Sequence, residues 1–418
     1  MNVPNIFTNP KVWVLPFCIF HDLNFSSRRN MSKCQEPEEC TGSPTAFHSQ
    51  HEENIEAQLG CKSPGANLDA DFRRESEAQS PVTPESNDRS SSKSLTSSVV
   101  DFPEENGRTY HGYRPGTYHF PNDANEQDRL EAQFDMLKSA FSGRNYFAPL
   151  SDPRYILDIG TGTGQWAIQM GDSFPKAEVQ ATDLSPIQPV SVPQNVHFYI
   201  DDASDDDWIL PPNHFDYIHT RVLLGCFKDF DTIIKRAFHY TKPGGYMESQ
   251  EIMFTPYCDD ESMTHSWPFL EWVAYVDKAA TKAGRSMNIA SSLKNWYEAA
   301  GFVDVQEKIY KLPVNPWSED EQLQKLGQMS EENWLACLSS FSMALFSRIL
   351  DWKQEQIEVY LVNVRKSIPN RSIHAYHKIY VVWGRKPEEK EKTSASSTPE
   401  QTPSEIDPVQ PKPEKGIT

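Results

Sequence analysis

Between residues 104 and 386, short apolar runs alternate with segments whose hydrophobic positions recur every three or four residues. YILDI (155–159), AEVQATD (177–183), VHFYIDD (196–202), FDYIHTR (215–221) and GYMESQEI (245–252) have the length and the β-branched or aromatic content of strands. The segment after Gly164 puts Trp166, Met170 and Phe174 on one helical face, and DFDTIIKRAFHYT does the same with Phe230, Ile233, Ile234, Ala237 and Phe238. That second helix is expected to halt at KPGG, where Pro243 and Gly244 oppose its continuation. WPFLEWVAYVDKAATKAG and SSLKNWYEAAGF read as two further helices, the latter burying Leu293, Trp296, Tyr297 and Ala300 and closing at Gly301. FVDVQEKIYKLPV and HAYHKIYVVWG complete the strands. Residues 319–368 read as helical and are taken as an insertion, about 315–370, before the last strand. Alternation of this kind predicts an α/β fold: a mostly parallel sheet with helices on both faces and a ligand site beyond the carboxyl ends of the strands.

Outside that span the pattern vanishes. Residues 1–103 and 387–418 are dominated by Ser, Glu, Asp, Asn and Pro, a composition that buries too little apolar area to offset the entropy of ordering, so both are expected to be disordered. One exception is VWVLPFCIF (12–20), an apolar run too short to span a bilayer and poorly matched to a secretory signal, so no membrane is expected. An intracellular protein is expected, cytoplasmic or nuclear. The net charge of −19 argues against a nucleic-acid surface, which needs clustered Lys and Arg. Cys18, Cys34, Cys40, Cys61, Cys226, Cys258 and Cys337 form no CxxC pair, so they read as free thiols and not as zinc ligands. The aspartates between Asp201 and Asp207 lack the glycine-turn spacing of a calcium loop, and no metal is expected.

The chemistry gathers in LDIGTGTGQWAIQM (157–170). Gly160, Gly162 and Gly164 directly follow a strand, where missing Cβ atoms let backbone turn sharply against a ligand. Gly162, Gly164 and Ala167 also satisfy the GxGxxA dinucleotide fingerprint, whereas no GK[ST] follows to make a nucleoside-triphosphate loop. Asp158, two residues before the first glycine, tilts the choice: a carboxylate there repels a pyrophosphate and attracts an ammonium. Asp183 ends the next strand, where an acid can accept ribose hydroxyls. Asp202 and Ala203 end the third, within reach of an adenine amino group. An adenosine carrying an amino acid and no phosphate describes S-adenosylmethionine.

The ordered series ILDIGTGTGQWAIQM, ATDLSPIQP, IDDASDDDW, FDYIHTR and KPGGYMESQE resembles the class I methyltransferases. More narrowly, EENGRTYHGYRPGTYHFPND with EQDRLEAQ, LPVNPW, FSRIL and IHAYH resemble the fungal LaeA-like methyltransferases. The resemblance covers about 104–386 and implies a Rossmann-like fold with a seven-stranded sheet, S-adenosylmethionine as cofactor, and a small-molecule methyl acceptor in fungal secondary metabolism. It implies that Gly160, Gly162 and Gly164 line the methionine end, Asp158 faces the amino group, Asp183 the ribose, and Asp202 with Ala203 the adenine. Leu184 would pack on the adenine ring, and ENGRTYHGY would fold over the cofactor with Tyr110 and Tyr113 near the sulfonium. A second role within the family is that of a nuclear regulator of secondary-metabolite genes acting through velvet-type protein partners.

If the acceptor must shed a proton, His219 and Glu251, at strand ends facing the site, are the candidate bases. Each reads more simply as a hydrogen-bonding scaffold residue. His111 is a candidate lid residue. Trp334, Phe341 and Phe346 in the helical insertion read as core.

Overall fold

The computed structural model describes residues 12–13, 97–206, 208, 211–389 and 391. The remainder of the two segments read as tails lies outside the described residues, as does all of VWVLPFCIF beyond its first two positions.

In chain order the elements are β1 (Val12–Trp13), α1 (Ser97–Val100), β2 (Glu104–Glu105), β3 (Arg108–Thr109), α2 (Ala124–Ala140), β4 (Tyr155–Ile159), α3 (Gln165–Ser173), β5 (Glu178–Asp183), β6 (Val196–Ile200) and β7 (Phe215–Arg221). They continue with α4 (Phe230–Tyr240), β8 (Thr241–Ile252), α5 (Pro268–Lys282), α6 (Leu293–Ala300), β9 (Val303–Pro313), α7 (Glu321–Leu350), α8 (Gln354–Ser367) and β10 (Tyr376–Arg385). The main sheet runs β1-β6-β5-β4-β7-β8-β10-β9. The neighbours from β6 through β8 pair in parallel, whereas β10 is antiparallel to both β8 and β9. Seven strands match the expected sheet. The eighth, Val12–Trp13, adds antiparallel to Ile200 and Tyr199 at the edge.

Alternation along each strand divides the core into two layers. Leu157, Ile159, Phe215, Ile218 and Met247 face α4, α5 and α6, together with α8 and most of α7. Ile156, Tyr217, Ile252 and Val381 face α2 and α3. Helix α4 stops at Tyr240, three residues ahead of Pro243, and KPGG lies inside β8, with Gly244 at φ 79°. Helix α6 ends as expected on Gly301 in the left-handed conformation. The insertion is α7 followed by α8; Trp334 and Phe341 sit in the core beside Phe254 and Trp272, and Phe346 beside Tyr275, Trp352 and Tyr360. Among the described residues no helix is long and apolar enough to cross a membrane.

Helix α2 has no clear apolar stripe because its buried face is partly ionic. Glu126, Arg129 and Gln133 are buried along with Phe134, Met136 and Leu137. Arg129 donates twice to Glu126 Oε1, at 3.0 and 2.7 Å, and once to Asn333 Oδ1 of α7 at 3.0 Å. Ser340 of α7 donates to the other Glu126 oxygen. Arg108 links Asp123, which caps α2, to Ser339 and Ser340. This network ties the segment before the sheet to the insertion near the end of the chain.

Candidate functional site

The cavity opens at the carboxyl ends of β4, β5, β6 and β7. Its empty volume, open mouth included, is about 1280 Å³. Asp158, Gly160, Gly162, Asp183, Leu184, Asp202 and Ala203 all line it. His219, Arg221, Trp166, Phe134, Tyr118, Pro121, Leu223, Cys226, Phe227 and Arg285 share the wall.

Each glycine of the loop has a positive φ: 67° at Gly160, 58° at Gly162 and 81° at Gly164. Their reasons differ. A Cβ on Gly160 would lie 2.5 Å from Leu223 Cδ2, and one on Gly164 would lie 2.5 Å from Phe198 Cζ. Gly164 caps α3 and is absent from the cavity wall, so it serves packing more than ligand approach. Gly162 has only Leu130 Cδ1 nearby, at 3.6 Å, and opens onto the cavity.

Asp158 is held in place from both sides. Its Oδ1 accepts from His219 Nδ1 at 2.8 Å and its Oδ2 from Thr161 Oγ1 at 2.7 Å. The two residues are direct register partners on β4 and β7. The His219 ring stacks on the Trp166 indole with centroids 3.7 Å apart. Burial pushes the His219 pKa down to about 4, outweighing the pull of Asp158, so the neutral ring donates Nδ1–H to the carboxylate. A group that weakly basic is a poor proton acceptor near neutrality; its geometry makes it a positioning residue for Asp158.

Glu251, the other candidate base, does not line the cavity. Both its oxygens accept from the Leu223 amide at 2.9 Å, which fixes the turn after β7. Burial pushes its pKa up to about 8. Its place is that of a loop anchor.

Asp183 joins two loops: Oδ2 accepts from Gly162 N at 2.8 Å and Oδ1 from Ser185 N at 2.9 Å. Burial pushes its pKa up to about 6, against the lowering effect of those amides. Asp202 accepts from Ser204 N and from Arg114 Nη1, both at 2.9 Å, and Arg114 also grips Asp205. Asp206 pairs with Arg236 at 2.8 Å. The acidic run that exceeds what a ligand needs is therefore used by arginines of neighbouring segments.

ENGRTYHGY (105–113), expected over the cofactor, contributes no residue to the cavity wall; the residues that follow it do. Thr117, Tyr118, Pro121 and Asn122 line it, whereas Tyr110, His111 and Tyr113 do not. Tyr110 is buried beneath the Arg348 guanidinium, 4.7 Å from its ring centroid. Tyr113 is drawn out over Arg114, whose guanidinium stands 5.2 Å above its ring. His111 Nε2 contacts the Arg114 carbonyl at 3.1 Å and braces that turn. Arg221, Arg285, Tyr118 and Cys226 were not singled out as site residues from sequence, although Arg221 closes FDYIHTR and Tyr118 lies within EENGRTYHGYRPGTYHFPND.

Residues 132–307 match the family model described as a methyltransferase domain. Methyltransferase pytC of Aspergillus terreus is 37% identical over 301 residues, which covers 71% of this chain and 92% of that protein. The secondary metabolism regulator laeA of Aspergillus niger is 36% identical, covering 68% of this chain and 76% of its own. The protein-methionine methyltransferase laeA of Emericella nidulans is 34% identical, covering 68% and 77%. The chain belongs to the LaeA-like class I methyltransferases.

The methyltransferase uses S-adenosylmethionine, and the cavity suits it on its own chemistry. Gly162 leaves room for close backbone approach, and four aspartates, Asp158, Asp183, Asp201 and Asp202, line a space with no lysine in its wall. Those are the surroundings for a cationic, phosphate-free adenosine.

Proposed function

We propose that the enzyme transfers a methyl group from S-adenosylmethionine to a small organic acceptor in fungal secondary metabolism. The observation that carries this is an apolar stretch of the cavity wall, Tyr118, Pro121, Leu223, Cys226 and Phe227, beside the carboxylates and the glycine loop. In this reading Asp158 receives the cofactor's ammonium, Asp183 the ribose hydroxyls, Asp202 and Ala203 the adenine amino edge, and Leu184 the face of the adenine ring. When bound, the sulfonium supplies a methyl group already activated for in-line displacement. What remains for the chain is to hold donor and acceptor in line and keep water out, and positioning of that kind can lower a barrier by about 7–11 kcal/mol. His219 and Trp166 keep Asp158 rigid, and the 104–123 segment closes the top.

Calorimetry with S-adenosylmethionine tests the cofactor site: saturable binding is expected, and Gly162→Leu is expected to abolish it by filling the space the backbone leaves open. Undiminished affinity in that variant removes the loop from the site. Deleting the gene in its host tests the acceptor. One missing compound with a lighter precursor accumulating supports a pathway enzyme. Loss of many compounds together supports the second reading, a nuclear regulator with velvet-type protein partners, which rests on the 34–36% identity to the laeA proteins.

Asp183 gives the site a pH dependence. Ribose hydroxyls donate to the ionised carboxylate, so binding favours the deprotonated form. Affinity is expected to fall as pH drops below about 6, by up to about tenfold per pH unit. In the free protein the sign is opposite: a raised carboxylate pKa contributes stability fully present below the unfolded value, and that contribution is lost as pH rises through about 6. Binding titrations from pH 5 to 8 beside ligand-free melting curves read both trends; affinity flat across that range would sink the ribose assignment.

A further inference from the structure

We infer that Arg285 recognises an anionic group on the methyl acceptor, and that the acceptor is a small, largely apolar carboxylic acid bound as its carboxylate. This rests on the small-acceptor reading above and names the chemistry which that site takes.

Arg285 shares the cavity wall with Tyr118, Cys226 and Phe227. Two loops fix it there. Helix α5 ends at Lys282, Gly284 takes φ 73°, and the Arg285 amide returns to the Ala280 carbonyl at 2.8 Å. One residue on, the Ser286 carbonyl accepts from the Gly225 amide at 3.0 Å, which pins this loop to the loop after β7. The guanidinium donates Nη1 to the Cys226 carbonyl, its single hydrogen bond among the described residues. Its Nε and Nη2 are unpaired there and are not sealed off from solvent.

The charge is equally unspent. No carboxylate stands within ion-pair distance of Arg285 among the described residues; Asp202 attracts it through space, yet Asp202 is already paired with Arg114 at 2.9 Å. Burial keeps the Cys226 thiol and the Tyr118 hydroxyl protonated, so neither supplies a negative charge. The other cation of the wall differs. Arg221 spends Nε on Gln250 and Nη2 on the Asn145 carbonyl, and its Nη1 is enclosed.

Arg285 is 9% exposed, and a guanidinium so far withdrawn from water is costly until an anion completes it. The free edge of its fork suits a planar carboxylate. The apolar neighbours say what carries that group: an organic body for Tyr118, Pro121 and Phe227 to cover. A phosphate would bring a second negative charge into a wall that already holds Asp158, Asp183, Asp201 and Asp202, so a monoanion fits better.

The test requires no known acceptor. A metabolite extract of the host is split on an anion exchanger at neutral pH. Each fraction is then incubated with the full chain and S-adenosylmethionine carrying a tritiated methyl group. Label is expected to enter organic products from the retained, anionic fraction and not from the flow-through. Converting the carboxylic acids of that fraction to amides beforehand is expected to abolish it. At limiting acceptor, Arg285→Gln is expected to slow labelling by about 10- to 100-fold, the range for a lost charged hydrogen bond. Its affinity for S-adenosylhomocysteine, read by calorimetry, is expected to stay near wild type, which also reports that the variant is folded. Arg285→Lys, which keeps the charge and loses the fork, is expected to fall between. Label from the flow-through, labelling that survives amidation, or an unchanged rate in Arg285→Gln overturns the assignment. Equal loss of labelling and of S-adenosylhomocysteine affinity overturns it too, since a merely structural role would do that. Label from no fraction, with S-adenosylhomocysteine still bound by the wild type, removes the small-acceptor reading and this inference with it, whereas absence of that binding removes the cofactor reading itself.

Discussion

Replacing Asp158 with alanine is expected to weaken cofactor binding by about 10- to 100-fold and to destabilise the free protein at the same time. The two effects have separate causes. Asp158 is 3% exposed, and its oxygens satisfy a fully buried histidine and the Thr161 hydroxyl. Removing them strands His219 Nδ1 in the interior, which costs about 1–3 kcal/mol. Binding suffers because the ammonium would lose its only charged partner at that end of the cavity, worth about a further 1.5–3 kcal/mol for a hydrogen bond to a charged group. Asp158→Asn separates the two. The amide oxygen can still accept from His219, so thermal stability should stay near wild type, while affinity falls by about tenfold or more. An asparagine variant that binds S-adenosylhomocysteine as tightly as the wild type would reduce Asp158 to scaffold.

Much of this arrangement was legible in the sequence, for a definite reason. The strand limits, read from the apolar runs, put Asp158 and Asp183 near strand ends on one side of the sheet, whereas the pairing of Asp158 with His219 across β4 and β7 is visible only in the structure. The glycines were legible because tight turns beside strands admit few other residues. What could not be read was which side chains fold back over the cleft. Tyr110 and Tyr113 were expected in the wall, yet Arg348 and Arg114 hold them elsewhere, and both arginines owe their positions to distant acids, Glu105 and Asp205. Glu251 shows the same limit from the other direction: a carboxylate at the end of β8 looks available until the Leu223 amide is seen to claim it. Helix α2 escaped notice because its buried face carries Glu126, Arg129 and Gln133, and a search by hydrophobic period scores such a face as solvent-exposed.

That hidden face leads to the second large effect. Glu126→Ala is expected to destabilise the enzyme by about 3–5 kcal/mol, because it leaves Arg129 buried with no counter-ion. Arg129 is 5% exposed and Glu126 3%, so solvent offers neither much relief. Among the described residues Asn333 would remain as the hydrogen-bond partner of the stranded guanidinium, and Ser340 would lose its acceptor. The loss should spread to α7, since the same atoms pin the insertion to α2. Hydrogen exchange is therefore expected to accelerate over 321–350 along with 124–140, and denaturant unfolding to shift to lower midpoint. The double variant Glu126→Leu with Arg129→Met removes both charges and keeps most of the volume, so it should recover a large share of the stability. If the double variant is no better than Glu126→Ala, the ionic pair is not what makes the single change costly. If exchange rises in α2 alone, the network does not couple the two helices. Arg108 and Asp123 belong to the same cluster and lie at the foot of the segment whose Thr117, Tyr118 and Pro121 line the cavity. Loosening it should therefore weaken cofactor affinity as well, although Glu126 itself lies outside the cavity wall.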